Sequence, residues 1–280
     1  MQGKGRGSDG GRNRKPPARH FDPYGKRPDF DELGDGRGEG LIEGRNAVLE
    51  ALRAGVVIDK VFIAKGETDS ALGHIAAMAR QSGAAVVDAD RRKLDSMSVT
   101  HAHQGVIAMS ACADYATIDE IIENAKEKGE ELLVVLCDEI SDPHNLGAII
   151  RTCEASGAHG IVIPKRRSAG LSATVAKASS GAVYHIPIAR VTNMTATINE
   201  LKKAGVWVFG ASANGTTNLW QADFMGPVAL VIGSEGAGIG RLVGESCDFN
   251  VSIPMRGKIG SLNASVSAAV LMYEVVRQRS

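Results

Sequence analysis

The sequence predicts an α/β fold in two parts, a parallel-sheet domain in the second half preceded by a smaller α/β domain. Three observations carry this. From residue 132 onward, short apolar runs alternate with segments of helical periodicity, the rhythm of a parallel sheet. Residues 41–113 hold a shorter version of the same alternation, and the stretch 114–130 between them is charged with helical spacing.

Taken in order, residues 1–40 are rich in Gly, Arg, Lys and Asp with almost no aliphatic side chains, a composition that cannot offset its ordering entropy. A disordered tail is expected there. Its first part is basic and its second part acidic, so it either holds phosphates loosely or is simply solvated. Order begins near Leu41, where Ala47, Val48, Ala51 and Leu52 recur at helical spacing and Gly55 ends the run. A strand at 60–63, a helix at 72–80, a strand at 84–87, a short helix after Asp90 and a strand at 106–109 complete the small domain. Residues 117–131 form a charged connecting helix. The second domain, 131–280, then reads as a strand at 132–137, a helix to 156, a strand at 161–163 and a helix at 174–180. Apolar strands at 206–209, 228–232 and 251–253 follow. The final helix places Val266, Ala269, Val270, Tyr273 and Val276 on one face, and both faces of the sheet should be covered.

Composition excludes several classes. With 44% hydrophobic and 23% charged residues in 280, the chain has the means to bury a real core. No stretch approaches the roughly 20 apolar residues of a membrane helix, and the N-terminus lacks an apolar leader, so a cytoplasmic location without membrane association is expected. Cys112, Cys137, Cys153 and Cys247 are too scattered for a disulfide framework or a zinc site, and no other metal-ligand cluster is evident. Formal net charge is zero, so evidence for a nucleic-acid partner must come from charge distribution.

Three motifs carry chemistry. Asp142-Pro143-His144-Asn145-Leu146-Gly147, followed by Arg151, comes directly after the first strand of the second domain. Asn145 reads there as a helix N-cap, which puts Arg151 in the second turn. A capping Asn, a packing Gly and a surface Arg would explain the motif without any chemistry. The second motif, Leu230-Val231-Ile232-Gly233-Ser234-Glu235-Gly236-Ala237-Gly238-Ile239-Gly240, runs an apolar strand into a loop where backbone can approach a ligand. It is out of register for a dinucleotide fingerprint and comes late in the domain. The third, residues 253–267, is a Gly-rich loop entering the last helix, where Ser261 or Asn263 could serve as a cap.

Together these motifs resemble the SpoU (TrmH-like) family of RNA 2′-O-ribose methyltransferases in the SPOUT superfamily, over residues 132 to the C-terminus. Glu43-Gly44-Arg45-Asn46-Ala47-Val48 with His103-Gln104-Gly105-Val106 resembles the family's small RNA-binding domain, which is like ribosomal protein L30. The resemblance implies a deep trefoil knot, S-adenosylmethionine as cofactor, and a homodimer with composite sites. It implies a substrate-binding role for residues 41–113, a linker helix at 114–130 and a methyltransferase domain at 131–280. Gly233, Ile253, Met255, Ser261 and Leu262 fall on cofactor-binding positions, and Asn145, Arg151, Glu235 and Asn263 on active-site positions. No metal is implied. The expected substrate is a guanosine in the peptidyl-transferase region of 23S rRNA, with phosphate contacts from Arg45, Arg91, Arg92 and Lys93. A tRNA ribose methyltransferase and a catalytically silent ribosome-assembly factor are the alternatives. Because a guanidinium stays protonated, Arg151 would fix a phosphate and stabilise developing alkoxide charge rather than accept the proton.

Overall fold

The structure, a computed structural model, describes residues 40–66 and 69–280, so the tail expected over residues 1–40 lies outside the described residues but for Gly40. The chain first forms β1 (Leu41–Glu43), α1 (Arg45–Arg53), β2 (Ile58–Ala64), α2 (Ser70–Gln81), β3 (Ala85–Ala89), α3 (Arg91–Met97) and β4 (Val106–Ser110). Their sheet runs β1-β4-β2-β3, antiparallel except for β2 beside β3. On one face α1 and α2 bury Val48, Leu72 and Ile75 against Val61 and Val106, and on the other α3 packs Leu94 on Phe62 and Ile107. The chain enters α1 through a short strand, and Gly44 at φ +90° makes the turn between them, a backbone conformation that favours glycine.

The helix α4 (Ile118–Lys128) starts on a reciprocal capping box between Thr117 and Glu120 and ends at Gly129 in the left-handed region. It is more than a charged spacer. Ile121 is fully buried and packs where a side chain at Gly160 would stand, its Cγ1 falling 2.5 Å from the would-be Cβ. The remaining elements are β5 (Leu133–Asp138), α5 (Pro143–Ala155), β6 (Gly160–Pro164), α6 (Ala173–Ala178), β7 (Ile188–Val191), α7 (Met194–Lys203), β8 (Trp207–Ala211), β9 (Thr217–Asn218), β10 (Val228–Gly233), α8 (Arg241–Ser246), β11 (Phe249–Ser252) and α9 (Ala264–Arg279). All seven strands of this second sheet are parallel, in the order β7-β6-β5-β10-β8-β11-β9. Their carboxyl ends therefore share one edge.

Alternate residues of the central strands face two separate cores. Val135, Ile161 and Leu230 pack under α5, α6 and α9, while Val134, Leu136 and Val231 pack with Ile121 of α4, Ile198 of α7 and Val243 of α8. The last helix departs from expectation. Its buried residues are Ala264, Ala268, Leu271, Met272, Glu274 and Val275, whereas of the predicted stripe Val266 is 46% and Tyr273 51% exposed, Ala269 and Val276 are half-buried, and Val270 packs against the core. A helix apolar on both faces gives periodicity no single direction to find. The four cysteines are free, with Cys137 and Cys153 buried, and burial pushes the Cys137 thiol up to about 12. Among the described residues no helix is long and apolar enough to cross a membrane, and no group of three metal-ligating side chains occurs.

The two sheets are joined by a buried ion pair. Arg190 on β7 donates to Asp59 Oδ1 of β2 at 2.6 Å and to the Gly83 carbonyl at 3.3 Å, its guanidinium lying 4.1 Å from the Tyr115 ring centre. The Tyr115 hydroxyl donates to the same carboxylate, and Lys60 Nζ donates to the Ser168 carbonyl at 2.8 Å. Burial raises the Asp59 carboxyl above its usual range, opposed by Tyr115 and Arg190.

Candidate active site

The loops leaving β5, β10 and β11 meet at the carboxyl edge of the second sheet, where open α/β sheets hold their ligands. The first loop is set by Asp142, whose carboxylate accepts from the His144 N–H at 2.9 Å, with Pro143 at the first helical position. Asp142, and not Asn145, is thus the N-cap of α5. Arg151 consequently sits in the third turn, and the Asn145 side chain, within the first turn of the helix, is released from capping.

That side chain is used across the sheet. Asn145 Nδ2 donates to Glu235 Oε1 at 3.0 Å, and Asn145 Oδ1 accepts from Asn263 Nδ2 at 3.0 Å. Asn263 Nδ2 also donates to Glu235 Oε1, closing a three-membered cluster from the first turn of α5, the loop after β10 and the cap of α9. The orientation of the Asn263 amide follows from its second role as a helix cap, in which its Oδ1 accepts from the N–H of Ser265 at 2.9 Å and of Val266 at 3.3 Å at the start of α9. With the oxygen committed to the helix, only the amino group is left to face Glu235. Both amides converge on Oε1, so Oε2 of Glu235 is the oxygen left to meet a substrate.

The glycine loop is shaped by close contact. A Cβ on Gly233 would stand 2.1 Å from the carbonyl carbon of Gly238, and Ser234 and Gly238 exchange backbone hydrogen bonds of 3.0 and 2.9 Å. Its far end is pinned by Asp138, the last residue of β5, whose Oδ2 accepts from the Gly240 N–H at 2.8 Å. Partial burial raises that carboxyl above its ordinary range against the effect of the Gly240 bond. Sequence reasoning missed Asp138, although an acid closing an apolar strand is a signal that could have found it. Glu139 and Arg167, both at positive φ (57° and 59°), form a 3.0 Å ion pair that ties the loop after β5 to the loop after β6.

Beside the cluster, residues 254–262 belong to no helix or strand, and among the described residues none makes a backbone–backbone hydrogen bond. Met255 (39%), Leu262 (38%) and Ile259 (74%) stand exposed there, with Ser261 between them and Ile253 half-buried where β11 ends. Apolar side chains next to uncommitted amides and carbonyls suit a group with a flat apolar ring and a polar rim, as an adenine nucleoside has. Gly233, two strands away, borders the same edge.

The other expected residues lie elsewhere. Arg151 is exposed and has no hydrogen-bond or ion-pair partner among the described residues. Six residues beyond Asn145, it is rotated by about 240° and set about 9 Å along the helix, so within one chain it does not join the cluster. Arg45 forms an ion pair with Asp69, and its Nε donates to the Gln104 carbonyl at 3.0 Å. The two motifs of the first domain thereby hold each other. Arg91 and Arg92 open α3 exposed, and Lys93 lies 5.2 Å from the centre of the Phe62 ring.

Residues 132–273 match the family model described as the SpoU rRNA Methylase family, and residues 41–116 match one described as RNA 2′-O ribose methyltransferase substrate binding. YacO of Bacillus subtilis (strain 168), whose name places it in the TrmH family of tRNA/rRNA methyltransferases, is 49% identical over 239 residues, covering 85% of this chain and 96% of YacO. A relative from Staphylococcus aureus (strain COL) named for the same family is 46% identical over the same shares. Among solved structures, the SpoU methyltransferase AviRb of Streptomyces viridochromogenes with AdoMet is 25% identical, with a TM-score of 0.56 over 89% of this chain and 98% of AviRb. An AdoMet-bound rRNA methyltransferase from Sinorhizobium meliloti is similar at 26% identity and a TM-score of 0.54, covering 85% of this chain and 86% of that one.

Proposed function

We propose, from the premise that this chain belongs to the SpoU rRNA Methylase family and is an S-adenosylmethionine-dependent RNA 2′-O-methyltransferase of it, that its target is a guanosine ribose in the peptidyl-transferase region of 23S rRNA. The single observation that carries catalysis is the convergence of Asn145, Glu235 and Asn263 on one sheet edge. Three separate segments, the first turn of α5, the loop after β10 and the cap of α9, turn their polar groups there on one another, and this supports turnover over a silent assembly factor. The cofactor would be held by Gly233, Ile253, Met255, Ser261 and Leu262, and would supply an electrophilic methyl group.

The chain's own residues then provide alignment, proton removal and charge stabilisation. Asn145 and Asn263 fix Glu235 Oε1, and Oε2 is offered to the ribose hydroxyl as hydrogen-bond acceptor and proton acceptor. Arg151 reaches the site from a second copy, where its fork holds the neighbouring phosphate and stabilises alkoxide charge. The outward side of α9, with Val266 and Tyr273 exposed on the helix packed beside α5, supports a homodimer through this face. Phosphate contacts from Arg91, Arg92 and Lys93 would hold the RNA on the first domain, and Arg45 shapes that surface through Asp69. An RNA substrate of this kind would be met in the cytoplasm.

The target is tested by incubating the protein with labelled S-adenosylmethionine and 23S rRNA or bulk tRNA from cells lacking the enzyme, then mapping alkali-resistant ribose methylation. Label at one guanosine of 23S rRNA is expected; label in tRNA alone would overturn the target. The composite site is tested by mixing. Arg151→Ala and Glu235→Ala chains are each expected to lose at least about a hundredfold in rate, and their mixture to regain a substantial fraction through heterodimers with one intact site. Absence of recovery after subunit exchange would place Arg151 and Glu235 of the same chain in one site.

A further inference from the structure

Where the two domains meet, a cleft of about 300 Å³ opens between Arg80 and the start of β3 on one wall and Lys165, Arg166 and Thr192 on the other. Three cations and no carboxylate line it. Among the described residues, none of Arg80, Lys165 and Arg166 forms an ion pair or side-chain hydrogen bond, whereas the nearby Arg190 and Arg167 are paired with Asp59 and Glu139. Burial, with the neighbouring Arg190 and Arg166 guanidiniums, lowers the Lys165 ammonium below its usual range. Like charges gathered without a counter-charge cost free energy that a bound anion would return.

The walls are held in place by the buried bridge between domains. Arg190 on β7 grips both Asp59 and the Gly83 carbonyl, which fixes the turn before β3 against β7, and the Lys165 N–H donates to the Val191 carbonyl at 2.7 Å, which ties the loop after β6 to the same strand. A Cβ on Gly83 would lie 4.0 Å from Lys165 Nζ, so the two walls are within contact distance. The cleft is thus set before any ligand arrives.

Position says what the anion belongs to. Lys165 and Arg166 follow β6, and Thr192 follows β7, on the same carboxyl edge as Asn145 and Glu235. From the β5–β10 cluster to the β6–β7 loops is two to three strand spacings, or about 10–15 Å. The lining carries no aromatic ring on which a base could stack, so recognition there is of backbone charge, not of sequence. We infer that this interdomain cleft binds a backbone phosphate of the substrate RNA through Arg80, Lys165 and Arg166, anchoring the strand as it passes from the first domain to the methyl-transfer site. The inference rests on the RNA methyltransferase reading above.

The test compares the full-length protein with the R80Q/K165Q/R166Q variant in equilibrium binding to 23S rRNA fragments across a salt series. Losing the one phosphate contact, at roughly 0.7 per neutralised phosphate of single-stranded RNA, should lower the slope of log K against log salt by about 0.7. KM for RNA should rise at least tenfold, with cofactor affinity, melting temperature and kcat at saturating RNA close to wild type. R80K/R166K, which keeps the charge, should bind RNA nearly as wild type. An unchanged slope and KM in the triple variant, while wild type binds and methylates, would overturn the cleft alone. If wild type neither binds nor methylates any RNA, the enzymatic reading falls and this inference with it.

Discussion

At the scale of single residues, Asn263 shows how one side chain serves structure and chemistry at once. Its oxygen caps α9 and its amino group holds Glu235, so substitution by Ala would confound the two. Asp separates them: it caps as well as Asn but cannot donate, and its charge repels Glu235. Asn263→Asp should leave thermal stability within about 1 kcal/mol while single-turnover methyl transfer at saturating cofactor falls at least about a hundredfold; a normal rate would remove Asn263 from the catalytic cluster. Asn145 is the opposite case, since a residue expected to cap is relieved of capping by Asp142 and Pro143, which start the helix three residues earlier. Glu43 is a purely structural acid. Burial raises its carboxyl, but hydrogen bonds from Ser98, Thr100 and the backbone of Val99 and Thr100 outweigh that and hold it at about 2 against an ordinary 4.5. A carboxyl depressed on folding stabilises the protein above its unfolded value and ceases to do so as pH falls through its folded one. Glu43→Gln should therefore lower the melting temperature at neutral pH, and its deficit against wild type should shrink as pH falls from about 4.5 towards 2. A deficit independent of pH would assign the loss to packing instead.

At the scale of elements, Gly147 sets how closely α5 approaches α6. A Cβ there would stand 2.4 Å from Ala178 Cβ and 3.0 Å from its carbonyl carbon, so the neighbouring backbone itself must move. Gly147→Ala should cost about 1–3 kcal/mol from overpacking, despite the better helix propensity of Ala, and Ala178→Gly added to it should recover part of the loss in denaturant titrations. Absence of any loss in the single variant would mean that the two helices are free to separate. Most elements were legible from their apolar spacing, including β5, all six residues of which are buried. The short elements β1, β9 and α8 were not, nor were the strand β7 and helix α7. Four residues with only Ile188 and Ala189 buried are too few to show a period, and α7 follows after only two residues, capped by Asn193.

For the whole molecule, the Asp59–Arg190 pair decides how the two domains stand to each other. Removing one partner strands a charge among residues that have no water to offer it, which costs about 3–5 kcal/mol. Arg190→Met should thus destabilise the protein strongly, and Asp59→Asn in the same chain should restore much of the loss, as a neutral pair needs no counter-charge. Equal stability of Arg190→Met and wild type in chemical denaturation would show that the domains are joined by other contacts. The same pair supports both walls of the basic cleft, so the single variant should weaken RNA binding before it affects the cofactor.

The amino-acid sequence by itself determined the α/β alternation, the Asn263 cap as one of two candidates for the last helix, the glycine loop after an apolar strand and the order of motifs that marks the family. All of these follow from interactions between residues close in the chain, where periodicity, capping and glycine's backbone freedom act. Only the tertiary structure decided which groups meet. Asn145 and Asn263 are 118 residues apart in sequence and touch because parallel strands bring their carboxyl ends to one edge. The outward face of α9, the pinning of Gly240 by Asp138 and the gathering of cations between the domains have the same origin. Each depends on which surface an element turns towards its neighbours, and that is set by packing across the whole fold and not by any local run of residues.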